Sequence, residues 1–411
     1  MSRGHCPPVT CPYCQAANPE GARFCTSCGR RLLPPATLPG GRRMQRDRRI
    51  VLGVLLGMAA VTLLICNAVL LFLNAPNIVA LLLSSLAAIV PAWFYTRLVL
   101  RLDRYEREPR RTVLATFFWG ALFATLGAGI LNAIGYGFAG AAVGPDAANR
   151  ITATFVAPVV EETLKGLALL LLVLIFRDEF DNTLDGLVYG ALVGLGFAMT
   201  ENIMYFSVTL LQEGAFSFGV LVFIRTITGM FGHAMWTGLT GAAIGWGRSR
   251  HGRGAARFVV PILAWWLAMF QHGLWNGLLS YGGTAAAFLA ALGFFVLGLI
   301  VVLVIWRVAL RREQTILREY LRGEVADGYL SQAEYQALTD ERTRRRTLRD
   351  ARRRGGRKRK RLQQAFFQAA AELAFRKFHL ANGERPKTYQ AITPEDGYRL
   401  ELQRLRSALQ Q

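Results

Sequence analysis

The sequence predicts an all-α polytopic membrane protein, with about eight transmembrane helices between two soluble ends. Three observations carry that expectation. Of 411 residues, 53% are hydrophobic, yet 48 Lys and Arg stand against 27 Asp and Glu, a net charge of +21. A soluble globule rarely combines the two, and along this chain they are segregated: long apolar runs alternate with short arginine-rich loops. Uncharged runs of about 20 residues are long enough to cross the hydrocarbon core. Only helices can do so at this composition, because each backbone group must be bonded within its own segment.

Eight candidate spans cover roughly residues 51–75, 78–100, 113–135, 151–176, 184–206, 217–247, 258–280 and 285–309. The first run is too long for the core of a signal peptide and reads as an uncleaved span. Every second loop is basic: residues 42–49, 101–111 and 248–257, and then Arg307, Arg311 and Arg312 after the last span. The intervening loops are short and nearly free of Lys and Arg. The positive-inside rule therefore predicts that both termini are cytoplasmic. The loop after the fourth span carries a single Arg and is the weakest link in the alternation.

The N-terminal end holds Cys11-Pro-Tyr-Cys14, a ten-residue spacer and Cys25-Thr-Ser-Cys28. Two such knuckles supply four thiolates for one tetrahedral structural Zn²⁺. A pair of disulfides is the alternative, disfavoured in the cytoplasm. With all four positions taken by cysteine, this small zinc ribbon, residues 1–33, keeps no open coordination for catalysis. A basic linker, residues 34–50, follows, and the transmembrane domain is expected over 51–309. The tail, residues 310–411, is read as basic and helical. Its block at 342–361 suits anionic lipid headgroups. No specific nucleic-acid role is expected, since no fold signature for one accompanies it. Phe366, Phe367, Leu373 and Phe378 lie on a helix expected to end near Asn382-Gly383, with His379 read as a surface residue.

Ionisable groups within spans are costly, about 2.5–3.5 kcal/mol each at a helix centre, so a chain that keeps several uses or pairs them. The fourth span carries Glu161, Glu162 and Lys165, the fifth Glu201 and Asn202, the sixth Arg225 and His233, and the seventh Gln271, His272 and Asn276. Two of the five histidines thus fall inside spans. Lys165 lies three and four residues after the glutamates and reaches both, so it can neutralise one while the other stays available. Pro158 loosens the helix just before them. Gly190, Gly194 and Gly196 keep the fifth helix slim. Peptide hydrolysis needs a base for water, oxyanion stabilisation and an acid for the leaving amine. Glu161 is the expected base, Glu162 the partner of Lys165, and His233, His272 and Asn276 the oxyanion stabilisers. The same groups could instead hold a divalent metal, with Glu201, His233 and His272 as ligands and Glu161 as base. No His-Glu-x-x-His helix is present.

Glu161-Glu162-Thr-Leu-Lys165, Phe197-Ala-Met-Thr-Glu201-Asn202, Gly232-His233-Ala-Met-Trp236 and His272-Gly-Leu-Trp-Asn276 together resemble the PrsW family of membrane proteases, distant relatives of the CAAX-prenyl endoproteases. The loop Asp103 to Pro109 resembles that family too, and the likeness covers about residues 80–280. The resemblance implies an intramembrane endopeptidase of the bacterial cytoplasmic (inner) membrane. Its substrate would be a membrane-embedded protein such as an anti-sigma factor. Glu161, Glu162, Glu201, His233 and His272 would matter to activity, through a glutamic or a metal-dependent mechanism. A proton- or ion-coupled transporter would also bury Glu and His, but no internal repeat accompanies them here. A non-enzymatic membrane scaffold would leave the intramembrane polar cluster unexplained.

Overall fold

The computed structural model describes residues 9–10, 15–18, 27, 61, 63–69, 71–73, 76–105, 108–176, 179–249, 254–382 and 395–410. Contacts divide the chain into two units, Met1–Thr62 and Leu63–Gln411. In the first, β1 (Val9–Thr10) pairs antiparallel with β2 (Ala17–Asn18), Val9 opposite Asn18 and Thr10 opposite Ala17. This hairpin brackets the first Cys-x-x-Cys in sequence. The four expected ligands, Cys11, Cys14, Cys25 and Cys28, lie outside the described residues.

The second unit is helical. It comprises α1 (Leu63–Leu73) and α2 (Ile78–Val99), then α3 (Arg110–Phe118) and α4 (Thr125–Val143) joined by a π-wound turn, Trp119–Ala124. Next come α5 (Pro145–Ile151) and α6 (Ala157–Ile175), joined by a second π-wound turn, Thr152–Val156. Four long helices follow: α7 (Thr183–Gln212), α8 (Gly214–Arg248), α9 (Ala256–Gly282) and α10 (Ala285–Tyr320). Six helices among the described residues are long and apolar enough to cross a membrane. They correspond to the expected second, third and fifth to eighth spans. The expected fourth span contains α6, whose 19 residues carry Glu161, Glu162 and Lys165. Residues 51–60, the start of the expected first span, lie outside the description.

Capping explains several boundaries. Asn77 accepts from the Val79 and Ala80 N–H groups at the start of α2. Asn182 and Asp185 form a reciprocal capping box at the start of α7, and each such cap satisfies N–H groups that the first turn leaves orphaned. α7 is the central helix: its apolar window is 83% buried, against 11–28% for the other five. Glycine makes that possible. A Cβ on Gly194 would stand 2.1 Å from the His233 carbonyl oxygen, and one on Gly196 would stand 2.0 Å from that of Phe117. α7 therefore touches α8 on one side and α3 on the other, backbone to backbone.

The expected boundary at residue 310 falls inside α10, which runs unbroken to Tyr320. Beyond it, α11 (Arg322–Ala326), α12 (Gln332–Thr339), α13 (Glu341–Ala381) and α14 (Glu395–Gln410) complete a bundle. Leu317, Phe366, Phe367, Leu373, Leu402 and Leu405 form its core. Tyr105, from the loop before α3, is buried in the same core, so the tail is built onto the rest of this unit. α13 breaks at Gly355-Gly356, where Gly356 has φ +61°, a backbone that favours glycine. His379 departs from the expectation of a surface residue. Its Nε2 lies 2.7 Å from Asp181 Oδ2 and its side chain is 13% exposed, because α13 packs along α10 and reaches the loop before α7.

Candidate active site

The polar residues of four helices converge. α6 contributes Glu161, Glu162 and Lys165, all buried. Its neighbours contribute Glu201 from α7, His233 from α8 and His272 from α9. Lys165, with no exposed surface, sits between the groups: its Nζ is 2.6 Å from Glu162 Oε1, 3.8 Å from Glu161 Oε2 and 2.9 Å from His233 Nδ1. It also lies 4.2 Å from the centroid of the Phe197 ring, a contact that offsets part of the cost of desolvating an ammonium. Lys165 thus favours Glu162 over Glu161.

Glu162 is fully engaged. It accepts from Lys165 on Oε1 and from Thr237 Oγ1 on Oε2, at 3.1 Å. Its Oε1 also lies 3.1 Å from His272 Nδ1. A carboxylate there can only accept, so the network assigns the His272 proton to Nδ1 and leaves Nε2 with a free lone pair. That lone pair faces Glu161 Oε2 at 3.9 Å. Trp236 stacks on the His272 ring with centroids 4.2 Å apart and 13° between planes, which fixes the imidazole's rotation.

Glu161 is the contrasting carboxylate. Its Oε1 receives one long hydrogen bond, 3.4 Å, from Asn132 Nδ2. Its Oε2 is buried with no hydrogen-bond partner. A buried acceptor left unmatched costs about 1–3 kcal/mol or more, which marks it as a position meant for another group.

Glu201 is paired more fully than the sequence suggested. Arg225 Nη2 donates to its Oε2 at 2.6 Å, while Arg225 Nε donates to Asn202 Oδ1 at 2.7 Å and the guanidinium lies 3.9 Å from the Tyr205 ring centroid. His233 Nε2 is 3.0 Å from the same Glu201 oxygen. With the Lys165 ammonium donating to Nδ1, the network places the His233 proton on Nε2, directed at Glu201.

Could this set hold a metal? The donor atoms of Glu161, His233 and His272 lie within 4.8 Å of one another, and all three residues are buried. Two imidazoles and a carboxylate suit a first-row divalent ion; Glu161 Oε2 and the His272 Nε2 lone pair are open to one, whereas His233 would have to give up its Lys165 contact at Nδ1 or its Nε2 proton to join them. The clustered set contains Glu161 where the sequence led to Glu201, and Glu201 is paired with Arg225. Asn276 makes a contact of its own. Its Nδ2 donates to the Ala153 carbonyl at 2.9 Å, bracing α9 against the second π-wound turn. Sequence reasoning assigned no site role to Asn132, Thr237 or Trp236. Thr237 had a usable signal, lying four residues after His233 on one helical face. Asn132 had a weaker one, an amide inside an apolar run.

Residues 108–308 match the family described as PrsW family intramembrane metalloprotease, and residues 10–32 match a zinc-ribbon domain. A curated relative, "Protease PrsW" of Geobacillus kaustophilus (strain HTA426), is 28% identical over 248 residues, covering 59% of this chain and 93% of that protein. No solved structure matches the chain.

Proposed function

Because residues 108–308 belong to the PrsW family of intramembrane metalloproteases, we propose that Glu161 activates water to hydrolyse a peptide bond of a membrane-embedded protein. The observation that carries this assignment is the pairing pattern. Glu162 is bound by Lys165, Thr237 and His272, whereas Glu161 Oε2 is buried without a hydrogen bond, 3.8 Å from the Lys165 ammonium, and turned toward the free lone pair of His272. A base must be free to accept a proton and held within hydrogen-bond reach of its water. Glu161 meets the first condition, and Lys165 and Asn132 hold it in place.

The remaining residues have distinct tasks. Glu162 fixes the His272 tautomer through Nδ1 and holds Lys165. Glu201, balanced by Arg225, does the same for His233 through Nε2. The Lys165 ammonium and the His233 Nε2–H are the positive groups nearest the cluster, suited to the oxyanion and to reprotonating the leaving amine. Burial removes competing water and strengthens each of these interactions. Were a divalent ion held by Glu161, His233 and His272 instead, His233 would offer a lone pair in place of its Nε2–H or its Lys165 contact, and the ion, rather than Glu161 as free base, would supply Lewis-acid polarisation of water or the scissile carbonyl. The decisive test is cleavage of a single-span protein in liposomes by the Glu161→Gln enzyme.

The topology belongs to the same reading. α1 with the residues before it, and α6 with the turns leading into it, complete eight crossings. Both termini are then cytoplasmic, in a bacterial inner membrane, supported by the alternation of basic loops. The Arg-rich stretch of α13 faces anionic headgroups. A membrane-anchored regulator of the anti-sigma-factor type is the substrate class to test first. The zinc ribbon binds a structural Zn²⁺ and recruits rather than catalyses.

A further inference from the structure

A groove of about 540 Å³ opens between α9 and the π-wound approach to α6. Phe155, Pro158, Trp266, Phe270, Gly273 and Leu274 are among its lining residues. Its size falls within the range of about 300–1,000 Å³ typical of ligand pockets, and its lining is overwhelmingly apolar.

Two relationships tie it to the catalytic cluster. Pro158 precedes Glu161 and Glu162 by one turn of α6, and Gly273 directly follows His272 on α9. The groove therefore borders the two backbone segments that carry Glu161 and His272. The glycines let those segments meet: a Cβ on Gly273 would lie 2.7 Å from the Thr154 carbonyl oxygen and 3.6 Å from Pro158 Cγ. Thr154, a lining residue, lies within a turn whose π winding departs from the regular helical ladder, and its Oγ1 is buried beneath the wall without a hydrogen-bond partner. A peptide opened for hydrolysis inside a membrane exposes N–H and C=O groups that must find partners in the protein. A lipid chain makes no such demand.

We infer that this groove receives the apolar side chains flanking the scissile bond of a membrane-spanning substrate, with Phe155, Phe270 and Leu274 setting which side chains fit. The inference rests on the protease reading, and its test separates the two. The probes are synthetic single-span reporters of Leu and Ala, with one central position set to Ala, Leu or Phe. They are reconstituted with the full chain in vesicles of phosphatidylethanolamine and phosphatidylglycerol. The wild-type enzyme should cleave the Phe or Leu reporter at least about tenfold faster than the Ala reporter, the selectivity that a few methylenes in an apolar pocket supply. Leu274→Trp narrows the groove and should reduce that ratio at least about fivefold. An unchanged ratio overturns the inference. A photo-cross-linker at position 274 gives a readout that needs no turnover. Adducts with the Phe reporter, in excess over those from position 263 on the same helix, support the groove as the docking site; adducts with phospholipid alone overturn it. If no reporter is cleaved, the protease reading fails, and cross-linking still decides the groove.

Discussion

Glu162 Oε1 lies 3.1 Å from His272 Nδ1, while the other nitrogen of that ring faces Glu161 Oε2 at 3.9 Å. One imidazole thus separates two adjacent glutamates into different roles. The carboxylate on the Nδ1 side is held by Lys165 and Thr237, and the one on the Nε2 side is left open. Such a carboxylate–histidine pair fixes tautomer and orientation, and the consequence is asymmetric under mutation.

Glu161→Gln keeps the shape and removes the basicity. It should fold normally and lower cleavage by at least about 10²-fold. Glu162→Gln should instead destabilise the protein by about 3–5 kcal/mol, since Lys165 would lose its nearest buried counter-charge. The measurements are cleavage in liposomes, normalised to folded enzyme, and thermal unfolding in detergent. A Glu162→Gln enzyme that folds normally and is inactive would exchange the two roles.

Gly194 sets the distance between α7 and α8 at His233. Gly194→Ala places a methyl 2.1 Å from the His233 carbonyl oxygen, so the helices must separate. A loss of about 1–3 kcal/mol in stability is expected, with activity falling further than stability because His233 moves. Gly219→Ala on α8, where a Cβ meets nothing within 4 Å, is the control. Equal effects at the two sites would refute the close-approach explanation.

Metal content separates the ribbon from the membrane cluster. Deleting residues 1–34 should remove one zinc per chain. Any divalent metal that stays with the truncated protein should be lost on His233→Ala. Zinc stoichiometry unchanged by the deletion would contradict the ribbon assignment.

The C-terminal bundle should carry an acid-sensitive contact. Burial pushes the Glu334 carboxyl up, but Arg406, with the Ser331 N–H, outweighs it and holds the group below the usual carboxylate range. A depressed folded-state pKa adds stability that is complete above the unfolded value of about 4.3 and is lost as pH falls through the folded value. Hydrogen exchange in α12 and α14 should therefore accelerate below about pH 4, and Glu334→Gln should flatten that dependence. Identical acid profiles for the two proteins would remove Glu334 as the cause.

Orientation can be read by labelling. A single cysteine at position 341, in a background with the native cysteines replaced, should resist a membrane-impermeant reagent in intact cells. Labelling without lysis would reverse the topology.

The helical membrane architecture was legible because its cause is one-dimensional: hydrocarbon excludes charge, so the apolar runs and arginine loops mark the spans directly. The same expense made Glu161, Glu162, Lys165, Glu201, His233 and His272 stand out within apolar runs. The close fit of α7 was visible in Gly190, Gly194 and Gly196, since only glycine admits a neighbouring backbone at that distance. What the tertiary structure alone decided is which of these groups is already satisfied. Arg225 and Glu201 are 24 positions apart, Thr237 and Glu162 are 75 apart, and Asn276 and Ala153 are 123 apart. Their pairing depends on helix rotation and crossing, set by packing across four helices and not by spacing within any one. Spacing alone led to Glu201 for a metal set and Asn276 for the oxyanion; the fold adds that Glu201 is paired with Arg225 and His233, that Asn276 donates to a backbone carbonyl, and that Glu161 Oε2 has no hydrogen bond.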